Sequence, residues 1–135
     1  MKQLFDTDII LFTILQQSKD LLGISGGIYV GQRPDNSTQE DIVINTITLT
    51  QEYLPQVGTS NVNVYVSDKS QSINGVQMKL QDRARLRAIS SNVLDVLRVA
   101  KVEGLIYRIE SQAVIREPEI FQHFCNIRIV WNIQS

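Results

Sequence analysis

DRARLRAISSNVLDVLRVAK, residues Asp82 to Lys101, is the stretch whose reading decides the fold. Leu86, Ile89, Val93, Val96, Leu97 and Ala100 recur at steps of three and four, so on a helix they share one face. Ala84, Ala88, Ser91, Asp95 and Arg98 fall on the opposite side. Asp82 is placed to cap the N-terminus, and Gly104 lies just past the expected end. Such a helix needs an apolar surface to cover. The flanking sequence supplies strands that can build one.

Upstream, Asp6 or Thr7 can cap a first helix running to about Leu22, with Ile10, Leu11, Ile14, Leu15, Leu21 and Leu22 as its apolar stripe and Gly23 closing it. Ile28–Val30 reads as a short strand, and RPDNSTQ (residues 33–39) as an exposed loop of turn formers. DIVINTITLT (residues 41–50) is strongly β-prone and apolar on both parities, the pattern of a strand partly covered on both faces, either by its own domain or by a partner. QEYLPQVGTS (residues 51–60) reads as a hairpin loop, and NVNVYVS (residues 61–67) as a strand burying Val62, Val64 and Val66. Residues 68–75 are polar with an Asn74-Gly75 turn, and Val76–Gln81 leads into the helix.

Downstream, two alternating runs flank Glu117-Pro118-Glu119 and predict a long β-hairpin. Leu105, Tyr107, Ile109, Ala113 and Ile115 share one side of the first run. Phe121, Cys125, Ile127, Ile129, Trp131 and Ile133 share one side of the second. The expected fold is α+β: a single domain over residues 1–135, a mostly antiparallel sheet with two helices packed on one face, in the order α-β-β-β-α-β-β.

Bulk properties narrow the function. At 135 residues and 43% hydrophobic content, one core buries roughly two thirds of the unfolded surface without a disulfide or metal staple. The net charge of −1 makes no global electrostatic bid for nucleic acid or an anionic membrane. One cysteine excludes an intrachain disulfide. The apolar run Ile9–Leu15 is too short to span a bilayer, and Asp6 and Asp8 spoil it as a signal peptide. A soluble protein made in a cytoplasm is expected.

Catalytic chemistry is thinly represented. His123 and Cys125 lie two apart on a predicted strand and so face the same way, which makes a Cys–His nucleophile pair conceivable. The plainer reading is a small buried hydrophobe beside a packed histidine. No ligand spacing fits zinc or calcium. GISGG (residues 23–27) follows a helix and precedes a strand, the reverse of a phosphate-binding loop. No enzyme activity, cofactor or metal is expected.

Two features point outward. Arg83, Arg85 and Arg87 crowd the positive end of the helix dipole, each unfavourable by on the order of tenths of a kcal/mol. An acidic partner, either a neighbouring subunit or a phosphate backbone, would explain them. So would arginine stems lying over the edge of the apolar face. Tyr53 and Leu54, in the expected hairpin loop, either anchor another chain or fold back on their own sheet.

The layout resembles the tail terminator and minor tail proteins of long-tailed bacteriophages and their relatives at the phage neck. The resemblance runs over most of the chain: the helix DTDIILFTILQQ, the strand and loop IYVGQRPD, the strands DIVINTITLT and NVNVYVSD, a helix with small and basic residues, and the final EPEIFQHFCNIRIVW. It implies a structural subunit of the virion, made in the host cytoplasm, that assembles into a ring, commonly a hexamer. Such a ring caps the tail tube, stops its growth and joins it to the head, with phage tail tube and neck or connector proteins as partners and DNA only as passing cargo. A head-completion or connector adaptor is the alternative within the same assembly; a cytoplasmic ligand- or peptide-binding module is the alternative outside it. Ring contacts are heterologous, and the arginine cluster and the Tyr53–Leu54 loop are the candidate patches.

Overall fold

The computed structural model describes residues 1–134. Its elements in chain order are α1 (Leu4–Gln17), α2 (Lys19–Leu22), β1 (Ile28–Val30), β2 (Ile42–Leu49), β3 (Gln56–Ser67), β4 (Lys69–Ile73), β5 (Val76–Leu80), α3 (Arg83–Val99), β6 (Leu105–Glu117), a 3-10 turn (Pro118–Ile120) and β7 (Gln122–Ile133). A five-stranded sheet runs β1-β2-β3-β7-β6, and β4 and β5 form a separate two-stranded hairpin. All pairings in the large sheet are antiparallel except β1 with β2. The connection between those two, residues 31–41, is irregular and carries no helix. The expected α+β class, element order and mostly antiparallel sheet are all present.

The helices pack against one face of the sheet and close a single core. Leu11, Leu15 and Leu22 come from the N-terminal helices, and Leu86, Ile89, Val93 and Leu97 from α3. They meet Ile42 and Ile44 of β2, Val62, Val64 and Val66 of β3, and Cys125, Ile127, Ile129, Trp131 and Ile133 of β7. Asp82 caps α3 as expected, its carboxylate accepting from Arg85 N at 3.2 Å. Gly104 does not close that helix. It sits at φ 77° in the turn that opens β6, where only glycine is unstrained.

The first helix departs from expectation at both ends. It starts earlier, at Leu4, and Asp6 stands inside its first turn, accepting from Gln3 N at 2.7 Å. It breaks at Ser18 before α2, and Leu21 points to solvent rather than into the stripe. Gly23, at φ 70°, closes the pair as expected.

Two β-bulges account for the remaining errors of register. In β2, Thr46 pairs with Ser60 but Thr48 pairs with Thr59, leaving Ile47 extra. Ile42, Ile44 and Thr46 therefore face the core, Ile47 is exposed, and Leu49 returns inward on the opposite parity. Val43, on the parity opposite Ile42 and Ile44, is buried as well, so the strand is partly covered on both faces as expected, with a parity switch at Ile47. In β6 the extra residue is Glu110: Ile109 pairs with Ile129 and Ser111 with Arg128. Ala113 and Ile115 are thereby moved to the outer face, and Gln112 and Val114 take the helix-bearing face opposite Ile127 and Cys125, where both remain exposed. Phe121 lies outside β7, ending the 3-10 turn at φ 51°.

The β2 bulge sits beside a buried hydrogen-bonded chain. Trp131 Nε1 donates to Ser60 Oγ at 2.8 Å, Ser60 Oγ lies 2.6 Å from Thr46 Oγ1, and Thr46 Oγ1 lies 2.7 Å from Thr7 Oγ1. Thr7 in turn donates to Leu4 O at 2.6 Å. Each hydroxyl has one proton, so the indole and carbonyl ends set the direction: Trp131 to Ser60 to Thr46 to Thr7 to Leu4 O. Thr46 N, beyond the end of β1, finds its acceptor in Asp8 Oδ1 at 2.7 Å. Helix α1 thus replaces the missing length of edge strand.

The remaining corrections concern loops. Residues 56–60 belong to β3, so the β2–β3 loop is only residues 50–55. Gly58 is there because β2 approaches closely: a Cβ would lie 2.4 Å from Thr48 O. Residues 69–80 form the β4–β5 hairpin in place of a polar linker, turning at Asn74 (φ 53°) and Gly75 (φ 80°).

Candidate functional site

The sheet is long in the strand direction, and the candidate contact residues sit at its two ends. Strand β3 contributes twelve residues and spans roughly 40 Å. At its start, the β2–β3 loop carries Tyr53 and Leu54, 72% and 51% exposed. Neither folds back on the sheet. The base of this loop is pinned by Gln56, which is fully buried. Its side-chain amide donates to Lys2 O at 2.9 Å and Thr50 O at 2.7 Å, and its Oε1 accepts from Lys2 N at 2.9 Å. The tip is therefore presented on a held base.

At the far end lies the N-terminus of α3. The three arginines there do different things. Arg85 grips Glu40 with two bonds of 2.7 Å and donates to Gly23 O at 2.8 Å. It ties α3 to the end of α2 and the entry of β2. This pairing holds the Glu40 carboxyl below its ordinary value, against a smaller opposing effect of burial, and pushes the Arg85 guanidinium up. Arg83 and Arg87 are exposed, and among the described residues neither forms an ion pair. Proximity in sequence to Glu40 was absent, so only the fold reveals which arginine is engaged within the chain.

Arg83 and Arg87 rim a cleft of about 270 Å³ between α3 and the β6–β7 hairpin. Gln81, Ser90, Gln112 and Cys125 also line it. Ser90 is 3% exposed, and neither its Oγ nor Gln81 Oε1 has a hydrogen-bond partner. A helical serine ordinarily bonds back to the carbonyl one turn earlier, so this orphan oxygen is unusual. Beside the cleft, Lys69, Lys79, Arg83 and Arg116 surround a second hollow of about 580 Å³ under the β4–β5 hairpin. Asp68, Asp82, Glu117 and Glu119 share this end of the molecule, so the cationic character is confined to the rims of the two hollows.

His123 and Cys125 share a face, as their spacing predicts, but are engaged separately. His123 Nδ1 is 2.6 Å from Asp68 Oδ1, at the base of the β4–β5 hairpin. Cys125 is buried, with Gln112 Nε2 donating to its sulfur at 3.7 Å. A buried network that sequence reading missed pins the loop at residues 33–39. Arg33 donates to Asp41 at 2.9 Å and to Gln122 Oε1 at 2.7 Å, and lies 4.2 Å from the centre of the Tyr65 ring. The signal available was Arg33 inside a loop of turn formers, which does not identify a partner eight residues on. A further hollow, of about 790 Å³, is an apolar groove on the helix layer lined by Ile9, Ile14, Leu21, Val96 and Val99. Among the described residues, no group of three or more His, Cys, Asp or Glu is placed to hold a metal ion, and no helix is long and apolar enough to cross a membrane.

No family model and no curated protein matches this chain. Its fold is similar to that of a chain in the virion of a native gene transfer agent particle, with a TM-score of 0.55 at 9% identity, over 93% of this chain and 92% of that one. The likeness spans both chains almost end to end and is one of fold.

Proposed function

We propose that this chain is a structural subunit of a phage-like virion, forming a ring that caps a tail tube, ends its growth and joins it to the head or neck. The observation that carries this reading is the full-length likeness in fold to a chain of a gene transfer agent virion. The arrangement of the surface supports it. An exposed loop and a cleft rimmed by arginines lie at opposite ends of one sheet, a disposition that permits head-to-tail, heterologous contacts, which form a ring where the rotation between subunits closes. The β4–β5 hairpin has no buried residue, and an isolated two-stranded hairpin is marginal in water, so a neighbouring molecule is a natural source of its support. DNA would pass through the ring as cargo, and the partners would be the tail tube and the neck proteins.

Electron microscopy of the purified protein, alone and with tail tubes, tests the reading. Rings with a central hole, seated on tube ends, are expected. A protein that stays at 15.3 kDa by light scattering at every concentration and with tubes present would overturn it. Binding to connector rings but not to tubes would move the subunit to the neck.

A further inference from the structure

We propose that the cleft between α3 and the β6–β7 hairpin is a socket for the β2–β3 loop of a second copy of this chain, with Tyr53 inserted and Glu52 set against Arg83 and Arg87. The proposal deepens the ring reading and rests on it. Several independent features match. At about 270 Å³ the cleft is below the roughly 300–1,000 Å³ of small-molecule sites and suits one large side chain. Its wall holds two oxygens without hydrogen-bond partners, Ser90 Oγ and Gln81 Oε1. A phenolic hydroxyl can donate its one proton to Gln81 Oε1 and accept the Ser90 hydroxyl proton, and the aromatic body covers the apolar part of the wall, which includes Leu86 and Val114.

Charge matches as well. Arg83 and Arg87 stand at the positive end of the α3 dipole beside the Asp82 cap but in no ion pair among the described residues, and Glu52 is exposed next to Tyr53. Glu103 and Lys2 lie at the same end of the sheet as the loop and offset one another, which leaves Glu52 as the charge the loop itself presents. The loop itself is held at its base by Gln56, so little ordering cost attends its insertion. Loop and cleft are at opposite ends of a strand spanning roughly 40 Å, which prevents a chain from filling its own socket. The contact is therefore between copies, and its two halves lie on different surfaces.

That asymmetry gives a decisive experiment. Tyr53→Ala removes the insert, and Arg83→Glu with Arg87→Glu reverses the socket. Both sets of residues are exposed, so each variant should keep the parent's circular dichroism and melting temperature. Each alone is expected to need at least about tenfold more protein to self-associate. Mixed in equal amounts, they retain one intact insert and one intact socket, and should form a 1:1 dimer of twice 15.3 kDa by light scattering. Folded variants that do not pair on mixing, or a Tyr53→Ala protein that assembles like the parent, overturn the socket while leaving the ring reading intact. A parent protein that never self-associates overturns both. If the arginine reversal abolishes DNA retention in a gel shift but leaves assembly unchanged, the cleft serves a phosphate backbone and the proposal fails.

Discussion

At the scale of single residues, the fold depends on polar groups that are satisfied in pairs. Ser60 both accepts the Trp131 indole proton and passes its own to Thr46. Ser60→Ala strands a buried N–H, so a loss of about 1–3 kcal/mol in denaturant unfolding is expected, without change in slope. Gly58→Ala forces a methyl against the Thr48 carbonyl and should cost about 1–3 kcal/mol by the same measurement. The Arg85–Glu40 pair makes stability depend on pH. The Glu40 carboxyl is held below its ordinary value of 4.5, so its contribution is complete above that value and is lost as pH falls through the depressed one. Thermal melts from pH 6 downward should show a smaller acid-side decline in an Arg85→Ala variant than in the parent, from a starting point lower by roughly 1 kcal/mol. None of these partners is local: Trp131 and Ser60 are 71 positions apart, and Arg85 and Glu40 are 45. Sequence reading found Arg85 and Trp131 as notable residues and had no means of pairing them.

At the scale of elements, helices and strands were legible where burial follows one period. Helix α3 and the alternating valines of β3 are of this kind, because one wetted and one dry face leave a clear 3.6- or 2-residue pattern. The bulges at Ile47 and Glu110 break that pattern by inserting one residue, and alternation alone carries the wrong parity forward. Hairpin β4–β5 was legible only as its Asn74-Gly75 turn, since none of its strand residues is buried and no dry face marks it. The same absence predicts its replaceability. Substituting a short Gly-Ser linker for Ser70–Lys79, leaving the Asp68–His123 contact in place, should change monomer stability by less than about 1 kcal/mol while reducing assembly. An unfolded product would mean that the hairpin supports the core.

At the scale of the whole molecule, the informative property is the separation of two contact regions. The basic hollow rims, with Arg83, Arg87, Lys69, Lys79 and Arg116, and the loop with Glu52 and Tyr53 are held apart by the rigid length of the sheet. Changing Arg83 and Arg87 to Gln should weaken assembly in light scattering. Raising salt from 0.05 to 0.5 M should weaken the parent too, because exposed charge pairs are screened. Assembly indifferent to both would return these arginines to the role of solvated stems lying over the edge of α3. The candidate contacts at Tyr53, Leu54 and Arg83 were visible in sequence as misfits: apolar groups in a loop and cations at the wrong end of a dipole. The cleft itself was not visible, because Gln81, Ser90 and Gln112 are unremarkable until α3 and the bulged β6 bring them together.

What the sequence determined by itself is the class of the fold and the order of its elements, since both follow from local periodicity and turn chemistry. The register of two strands, the partner of each buried polar group, the choice of Arg85 over its neighbours for an internal ion pair, and the cleft beside Ser90 were decided only in three dimensions. Each depends on contacts between segments tens of residues apart. The helix at Asp82–Lys101 shows both at once: its apolar face is written in its spacing, and the work of its arginines is assigned by what folds against them.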